Sequence, residues 1–161
     1  MTVYKVSVKG EPVTQGSMKG FYIGGHVVMV HQKEKALLSY REAIARAFRD
    51  TVASPAPYFP DHTPVVVCII AYLKKPKSAP KNREYPSVKG KDIDKITRAV
   101  LDGMTGTVYK DDSQVVFTLA GKCYADSGEE EHTDIYALDV ATFLSFIPVN
   151  AVFESMRGGN A

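Results

Sequence analysis

Cysteine is scarce in this sequence, and no apolar stretch is long. The chain of 161 residues has 2 cysteines, whereas a small secreted fold would need several paired thiols, so we expect Cys68 and Cys123 to be buried and reduced. The longest apolar run, VVVCIIAYL at residues 65–73, is far shorter than the roughly 20 residues of a membrane helix. The N-terminus also lacks the apolar core of a signal peptide. We therefore expect a cytoplasmic protein without a membrane segment.

Histidine is too dispersed to suggest a zinc site. The four histidines lie without the short Cys and His spacing that zinc sites use: His26, His31, His62 and His132. What is present is an ordinary globular mixture, with 45% hydrophobic residues, 24% charged residues and a net charge of +2. A chain of this length and composition can bury one substantial core. We predict one domain over residues 1–153 and a flexible tail over residues 154–161.

Residue periodicity predicts an α+β fold, a mixed β-sheet with two main helices packed on it. Alternating apolar residues indicate strands, and an apolar spacing of three or four indicates helices. The predicted strands are 2–10, a hairpin at 21–30 about Gly24 and Gly25, the buried strand 65–73, and 115–125. The predicted helices are 33–51 and a second that begins near Ile93 and ends around Gly103, a residue suited to a C-terminal cap.

Two further segments follow the second predicted helix. TVY at residues 107–109 and the strand at 115–125 flank the acidic KDDSQ, which predicts a β-hairpin whose turn holds Asp111 and Asp112. The sequence IYALDVATFLSFI at residues 135–147 is ambiguous, and we interpret it as a strand followed by a helix.

Carboxylates are concentrated in one segment, residues 91–116. Five aspartates lie within it: Asp92, Asp94, Asp102, Asp111 and Asp112. At 100° per residue, Asp94, Arg98 and Asp102 form one line along the helix, beside its apolar stripe. Each acid has an ordinary explanation when taken alone, because Asp92 could cap the helix and the two i,i+4 pairs could be surface ion pairs.

The clustering of these acids is less easily explained than any one of them. Like charges brought together raise one another's pKa and oppose folding unless a cation is bound between them. Mg²⁺ fits best, since this hard ion takes a few carboxylates and keeps several waters for a substrate. We therefore predict a Mg²⁺ site, with Mn²⁺ as a substitute, where the start of the helix meets the predicted hairpin turn.

The segment from Asp92 to Gln114 resembles the core motif of the RusA family of Holliday junction resolvases, endodeoxyribonucleases common in phages and prophages. The shared pattern is Asp-x-Asp, a basic residue four positions on, Asp102, and then VYKDDSQV. GEPVTQGSMK near the start is similar to the family's Gly-x-Pro opening. The resemblance implies a nuclease domain, a bacterial host cell, and cleavage of four-way DNA that leaves 5′-phosphate and 3′-hydroxyl ends.

The resemblance also implies roles for individual residues. Asp92, Asp94 and Asp112 would be the catalytic carboxylates that hold the metal. Arg98 stands where the family often has an essential lysine, and would add positive charge at the phosphate. Lys95 departs from the pattern, because the family usually has asparagine there. We assign supporting roles beside the metal ligands to Lys95, Asp102 and Asp111.

A basic loop at residues 74–91 precedes this motif. It would supply affinity for DNA, because the carboxylates themselves repel the DNA backbone. Its cationic residues could neutralise several phosphates: Lys74, Lys75, Lys77, Lys81, Arg83, Lys89 and Lys91. A four-way junction has two-fold symmetry, so paired cuts call for two symmetric active sites. The expected partners are therefore branched DNA and a second copy of this chain.

Two other functions stay open at this point. A module that binds junctions without cutting them would result if the changes at Lys95 and Arg98 had abolished cleavage. A Mg²⁺-dependent phosphatase could also use Asp-x-Asp, but its nucleophile usually ends a buried apolar strand, and the polar PSVKGK precedes Asp92.

Overall fold

The computed structural model describes residues 3–16, 18–31, 34–51, 56–87 and 91–146. Lys89 and the predicted tail at residues 154–161 lie outside these ranges. The strands are β1 (Val3–Lys9), β2 (Met18–Ile23), β3 (His26–His31), β4 (Val65–Leu73), β5 (Val115–Tyr124) and β6 (His132–Asp139). The helices are α1 (Glu34–Thr51), α2 (Ile93–Met104) and α3 (Val140–Phe146), with a short 3-10 helix at Asp112–Gln114.

Four strands form a mixed sheet in the order β1-β6-β4-β5. β4 and β5 are parallel, whereas β6 runs antiparallel to both β4 and β1. The parallel pair is joined by a crossover that contains α2, as parallel neighbours require. The predicted α+β class and mixed sheet are confirmed, and the Val65–Leu73 strand has the predicted bounds.

Helices α1 and α2 pack on one face of this sheet and form the main core. Ile44 and Phe48 of α1, Ile96 and Val100 of α2, and Ile69 of β4 are almost completely buried. The core thus holds α2 firmly, and α2 carries much of the predicted site. On the opposite face, α3 adds a smaller cluster, and its position after β6 confirms the predicted strand-then-helix order.

Gly103 does not cap α2, so that prediction was wrong. The helix continues to Met104, and Thr105 is its C-terminal cap. A β-carbon at Gly103 would come within 3.1 Å of both the Cα atom of Arg41 and the Cδ1 atom of Ile44. Glycine at this position therefore lets α1 and α2 approach closely.

The predicted hairpin around Asp111 and Asp112 was also wrong. Residues 106–108 form a turn where a strand was predicted, and a bridge between Thr105 and Tyr109 closes it. The Tyr109 side chain is fully buried, and its hydroxyl donates to the Leu101 carbonyl over 2.9 Å. Burial of this ring raises its pKa. The requirement to bury Tyr109 against α2 prevents this segment from pairing with β5.

Strands β2 and β3 form a separate two-stranded sheet. Their turn at Gly24 and Gly25 has φ angles of 57° and 86°, which glycine adopts readily. The predicted hairpin is therefore confirmed. Elsewhere, Cys68 and Cys123 are free thiols, half-buried where full burial was expected. Within the described ranges, no helix has the length and apolar character needed to cross a membrane.

Candidate active site

An open cavity of about 540 Å³ lies between α2 and β5. Asp94, Arg98 and Asp102 line it from α2, and Asp112 lines it from the start of the 3-10 helix. The predicted line of three side chains along α2 is therefore present, and Asp112 adjoins it. These four charged residues surround one space open to solvent, which is large enough to admit part of a polymeric substrate.

Three of these side chains lack a direct hydrogen bond or close ion pair among the described residues, although Asp94 has a weaker electrostatic interaction with Lys95. Asp94, Arg98 and Asp112 make no hydrogen bond there and no ion pair within 4.0 Å. The ordinary explanation of two i,i+4 ion pairs along α2 is therefore wrong for this helix. The two free carboxylates can therefore contact a cation, and the free guanidinium can contact an anion.

Asp102 is paired, but with a residue of a different helix. Its carboxylate accepts a hydrogen bond from the Arg41 guanidinium of α1. The same Arg41 nitrogen donates to the Gln15 side chain over 2.6 Å. Arg41 therefore neutralises one acid of the cavity and ties it to the loop before β2. Sequence patterns missed this role, since Arg41 follows buried Tyr40 at the edge of the apolar face of α1.

Asp92 stands apart from the cavity lining. It occupies the N-terminal cap position of α2 but makes no side-chain capping bond. Its carboxylate instead accepts a 2.6 Å hydrogen bond from Lys95. This ammonium holds the pKa of Asp92 below its usual range. Asp92 thus lies two residues before Asp94 but already has a cationic partner.

Asp111 stabilises the turn that carries Asp112. Its side chain accepts from the Ser113 backbone N–H over 2.9 Å and forms a capping box with Gln114. Hydrogen bonds from Ser113, first from its side chain and second from this backbone N–H, lower the pKa of Asp111. The two adjacent acids therefore differ in role, because Asp111 caps the 3-10 helix while Asp112 is left to face the cavity.

The donor atoms around the cavity suit a hard cation, since they are carboxylate oxygens without sulfur or imidazole. Among the described residues, no three His, Cys, Asp or Glu side chains are grouped closely enough to hold an ion by themselves. Mg²⁺ does not require such a group, because it is commonly bound by one or two carboxylates together with water and substrate phosphate. Asp94 and Asp112 fit that pattern, and Asp92 as a third ligand stays a prediction.

The basic loop divides into structural and solvent-facing lysines. The Lys75 ammonium donates to the Lys81 and Arg83 carbonyls, each over 2.8 Å. The Lys91 ammonium donates to the Pro12 carbonyl over 2.6 Å and pairs with Glu11. These two lysines therefore hold the loop in place. The exposed cations among the described residues of the predicted set are Lys74, Lys77, Lys81 and Arg83.

An acidic segment faces part of this loop. A second cavity, of about 900 Å³, is lined by four lysines of the loop and by five acids. The acids are Glu11, Asp126, Glu129, Glu130 and Glu131. The formal charge of this lining is therefore negative by one, so the acids weaken the attraction of these lysines for phosphate.

An α+β domain that places free carboxylates and an arginine around an open cavity has the features of a hydrolase acting on phosphate esters. The chain matches the family model of endodeoxyribonuclease RusA over residues 9–131. It is also 31% identical over 135 residues to "Uncharacterized protein YqaN" of Bacillus subtilis (strain 168), an alignment covering 81% of this chain and 94% of that protein. The chain belongs to the RusA family of endodeoxyribonucleases, as its motif indicated.

Proposed function

We propose that this protein is a Mg²⁺-dependent endonuclease that resolves Holliday junctions by paired phosphodiester hydrolysis. The observation that carries the proposal is the cavity at which Asp94, Arg98 and Asp112 meet without pairing to one another. Membership of the RusA family supplies the DNA substrate class. The site chemistry and the family therefore agree on hydrolysis of a nucleic acid backbone.

The charged residues of the cavity have different roles in this reaction. Asp94 and Asp112 would hold Mg²⁺, which supplies an activated water and a Lewis acid at the phosphate. Arg98 donates to a phosphoryl oxygen as negative charge develops there. Water adds to phosphorus, the bond to the 3′-oxygen breaks, and that oxygen takes a proton. The products are 5′-phosphate and 3′-hydroxyl ends.

Two cationic side chains reduce the repulsion among the carboxylates of the site. Three unpaired carboxylates around one cavity would repel one another. Arg41 removes Asp102 from that repulsion by pairing with it. Lys95 does the same for Asp92. In this proposal, Asp92 joins the ion when bound metal and DNA compete with Lys95.

DNA affinity would come from the exposed cations of the basic loop and would depend strongly on salt. Two copies of the chain would act together, since the two-fold symmetry of a four-way junction calls for two symmetric sites. This dimer is part of the proposal and follows from the substrate rather than from any described interface.

The function is tested with a labelled four-way junction incubated with the protein and Mg²⁺. We expect symmetric nicked duplexes ending in ligatable 5′-phosphates, and far less cutting of linear duplex of the same sequence. Asp94→Asn should abolish nicking and keep or strengthen binding, because a repulsive charge is removed. Asp126→Asn is the matched control, since it removes one negative charge from the acidic segment outside the cavity.

One alternative is favoured by a specific observation. The Lys95 to Asp92 ion pair occupies a predicted metal ligand, which suits a module that binds junctions without cutting. Binding without nicks, at any Mg²⁺ or Mn²⁺ concentration, would establish that module. The phosphatase is disfavoured, because Asp92 precedes a helix instead of ending a buried strand.

A further inference from the structure

Gln114, two residues after Asp112, has a fully hydrogen-bonded side chain. It ends the 3-10 helix and is 7% exposed. Its Oε1 atom accepts from the Lys110 N–H over 3.0 Å and, over a longer 3.4 Å, from the Asp111 N–H. Its Nε2 atom donates to the Pro60 carbonyl over 2.9 Å and to the Thr63 carbonyl over 3.2 Å. Both donors and both acceptor sites of the amide are therefore in use.

These bonds join two segments that are distant in sequence. One is the turn at residues 110–112, and the other is the turn at residues 60–63, which is closed by a 3.1 Å bond from the Thr63 N–H to the Pro60 carbonyl. Within the second turn, His62 has a φ of 65°, a left-handed conformation uncommon for a residue with a β-carbon. That turn presents two carbonyls to one amide group.

The position of Asp112 depends on these contacts. The Asp112 carboxylate makes no hydrogen bond to another described residue, so its placement depends strongly on the backbone that carries it. Gln114 binds the backbone on the N-terminal side of Asp112 and belongs to the same 3-10 helix. We propose that Gln114 is a positioning residue, which fixes the Asp112 turn against residues 60–63 so that the carboxylate faces the cavity. This inference rests on the proposed function, since it assigns Asp112 to the metal.

Two substitutions separate the bonds that Gln114 accepts from the bonds that it donates. Gln114→Met keeps the length of the side chain and removes all four bonds. Gln114→Glu keeps the two acceptor bonds and loses the two donor bonds to carbonyls. We expect Gln114→Met to lower kcat roughly 100-fold, the cost of a displacement of about 1 Å, with junction Kd within about twofold. The Mg²⁺ concentration for half-maximal nicking should rise in both variants.

Two controls identify a merely structural effect. Lys110→Met removes the exposed 2.6 Å ion pair from Lys110 to Asp61, which joins the same two segments at the surface. Leu138→Ala weakens the core on the opposite face of the sheet. Both should keep the wild-type Mg²⁺ requirement, even where thermal stability falls as far as it does in Gln114→Met.

A second readout does not depend on activity. In the wild type, Mn²⁺ should broaden the NMR signal of the Asp112 amide at low concentration, and Gln114→Met should require a higher concentration. Equal broadening in both proteins, or no broadening in either, overturns the inference whether or not the wild type cuts DNA. If the wild type shows this broadening but never nicks DNA, the proposed function fails and the positioning role stands. Wild-type kcat in Gln114→Met would also overturn the inference.

Discussion

Lys95 donates a 2.6 Å hydrogen bond to the Asp92 carboxylate, one turn along the same helix. The ammonium and a bound metal would compete for the same oxygen atoms. Lys95→Asn, which restores the residue usual in the family, should therefore lower the Mg²⁺ concentration for half-maximal nicking. Lys5→Met is the control, because this substitution removes the same charge from a lysine that faces Asp134 at 4.0 Å on the sheet. An unchanged Mg²⁺ requirement would mean that Asp92 does not bind the metal.

The same ion pair predicts a pH dependence. Lys95 lowers the pKa of Asp92 in the folded state, so the pair stabilises the fold above the unfolded value of about 3.9. That contribution is lost as the pH falls through the lowered folded value. Lys95→Asn should raise the pKa of Asp92 in a carboxyl ¹³C NMR titration. The difference in unfolding free energy between the two proteins should shrink in acid, and a constant difference would contradict the assignment.

Arg98 is exposed on α2 and lines the cavity without an ion pair to any described residue. Arg98→Met should lower kcat for nicking by roughly 10²-fold, as the loss of one donor to a developing oxyanion does. Arg98→Lys, which restores the lysine frequent in the family, should keep most of the activity, although one point charge replaces a planar fork. Single-turnover nicking at saturating protein measures both. Equal losses in the two variants would show that geometry, not charge, is required.

The exposed and structural lysines of the basic loop should differ in their effect on DNA binding. Lys77 and Lys81 have exposed side chains, so the double variant Lys77→Met and Lys81→Met should reduce the slope of log K against log salt by roughly 2. Lys75→Met is the control, because that ammonium is bonded inside the loop. It should lower thermal stability and leave the slope nearly unchanged. Gel-shift titrations of a junction at several salt concentrations measure the difference.

Local periodicity predicted the parts of the site that lie on one element. Asp94, Arg98 and Asp102 share a face of α2 because helical spacing places them there, and the apolar run at Val65–Leu73 was the best candidate for a buried strand. The partner of Asp102 was not predictable in this way. Arg98 is the nearer cation in sequence, but the close packing of α1 on α2 brings Arg41 to that carboxylate. Likewise, the turn at residues 106–108 follows from the burial of Tyr109, which depends on the assembled core.

Gly103 gives a test of that close packing, because two effects on stability oppose each other there. Alanine in a helix interior is favoured over glycine by about 1 kcal/mol, yet its β-carbon would lie 3.1 Å from the Cα atom of Arg41. That neighbour is backbone and cannot rotate away, and overpacking of this kind costs about 1–3 kcal/mol. We therefore expect Gly103→Ala to lower the free energy of unfolding, measured in urea.

The matched control for this substitution is Gly121→Ala on β5, where an added β-carbon would meet nothing within 4 Å. It should be neutral or slightly stabilising, since glycine weakens a strand interior. Displacement of α1 by the larger side chain at residue 103 would also pull Arg41 away from Asp102 and leave a third unpaired carboxylate at the cavity. Gly103→Ala should therefore require less Mg²⁺ for half-maximal nicking than Gly121→Ala, because the freed carboxylate attracts the cation. A stabilised Gly103→Ala protein would show that the two helices can separate at no cost.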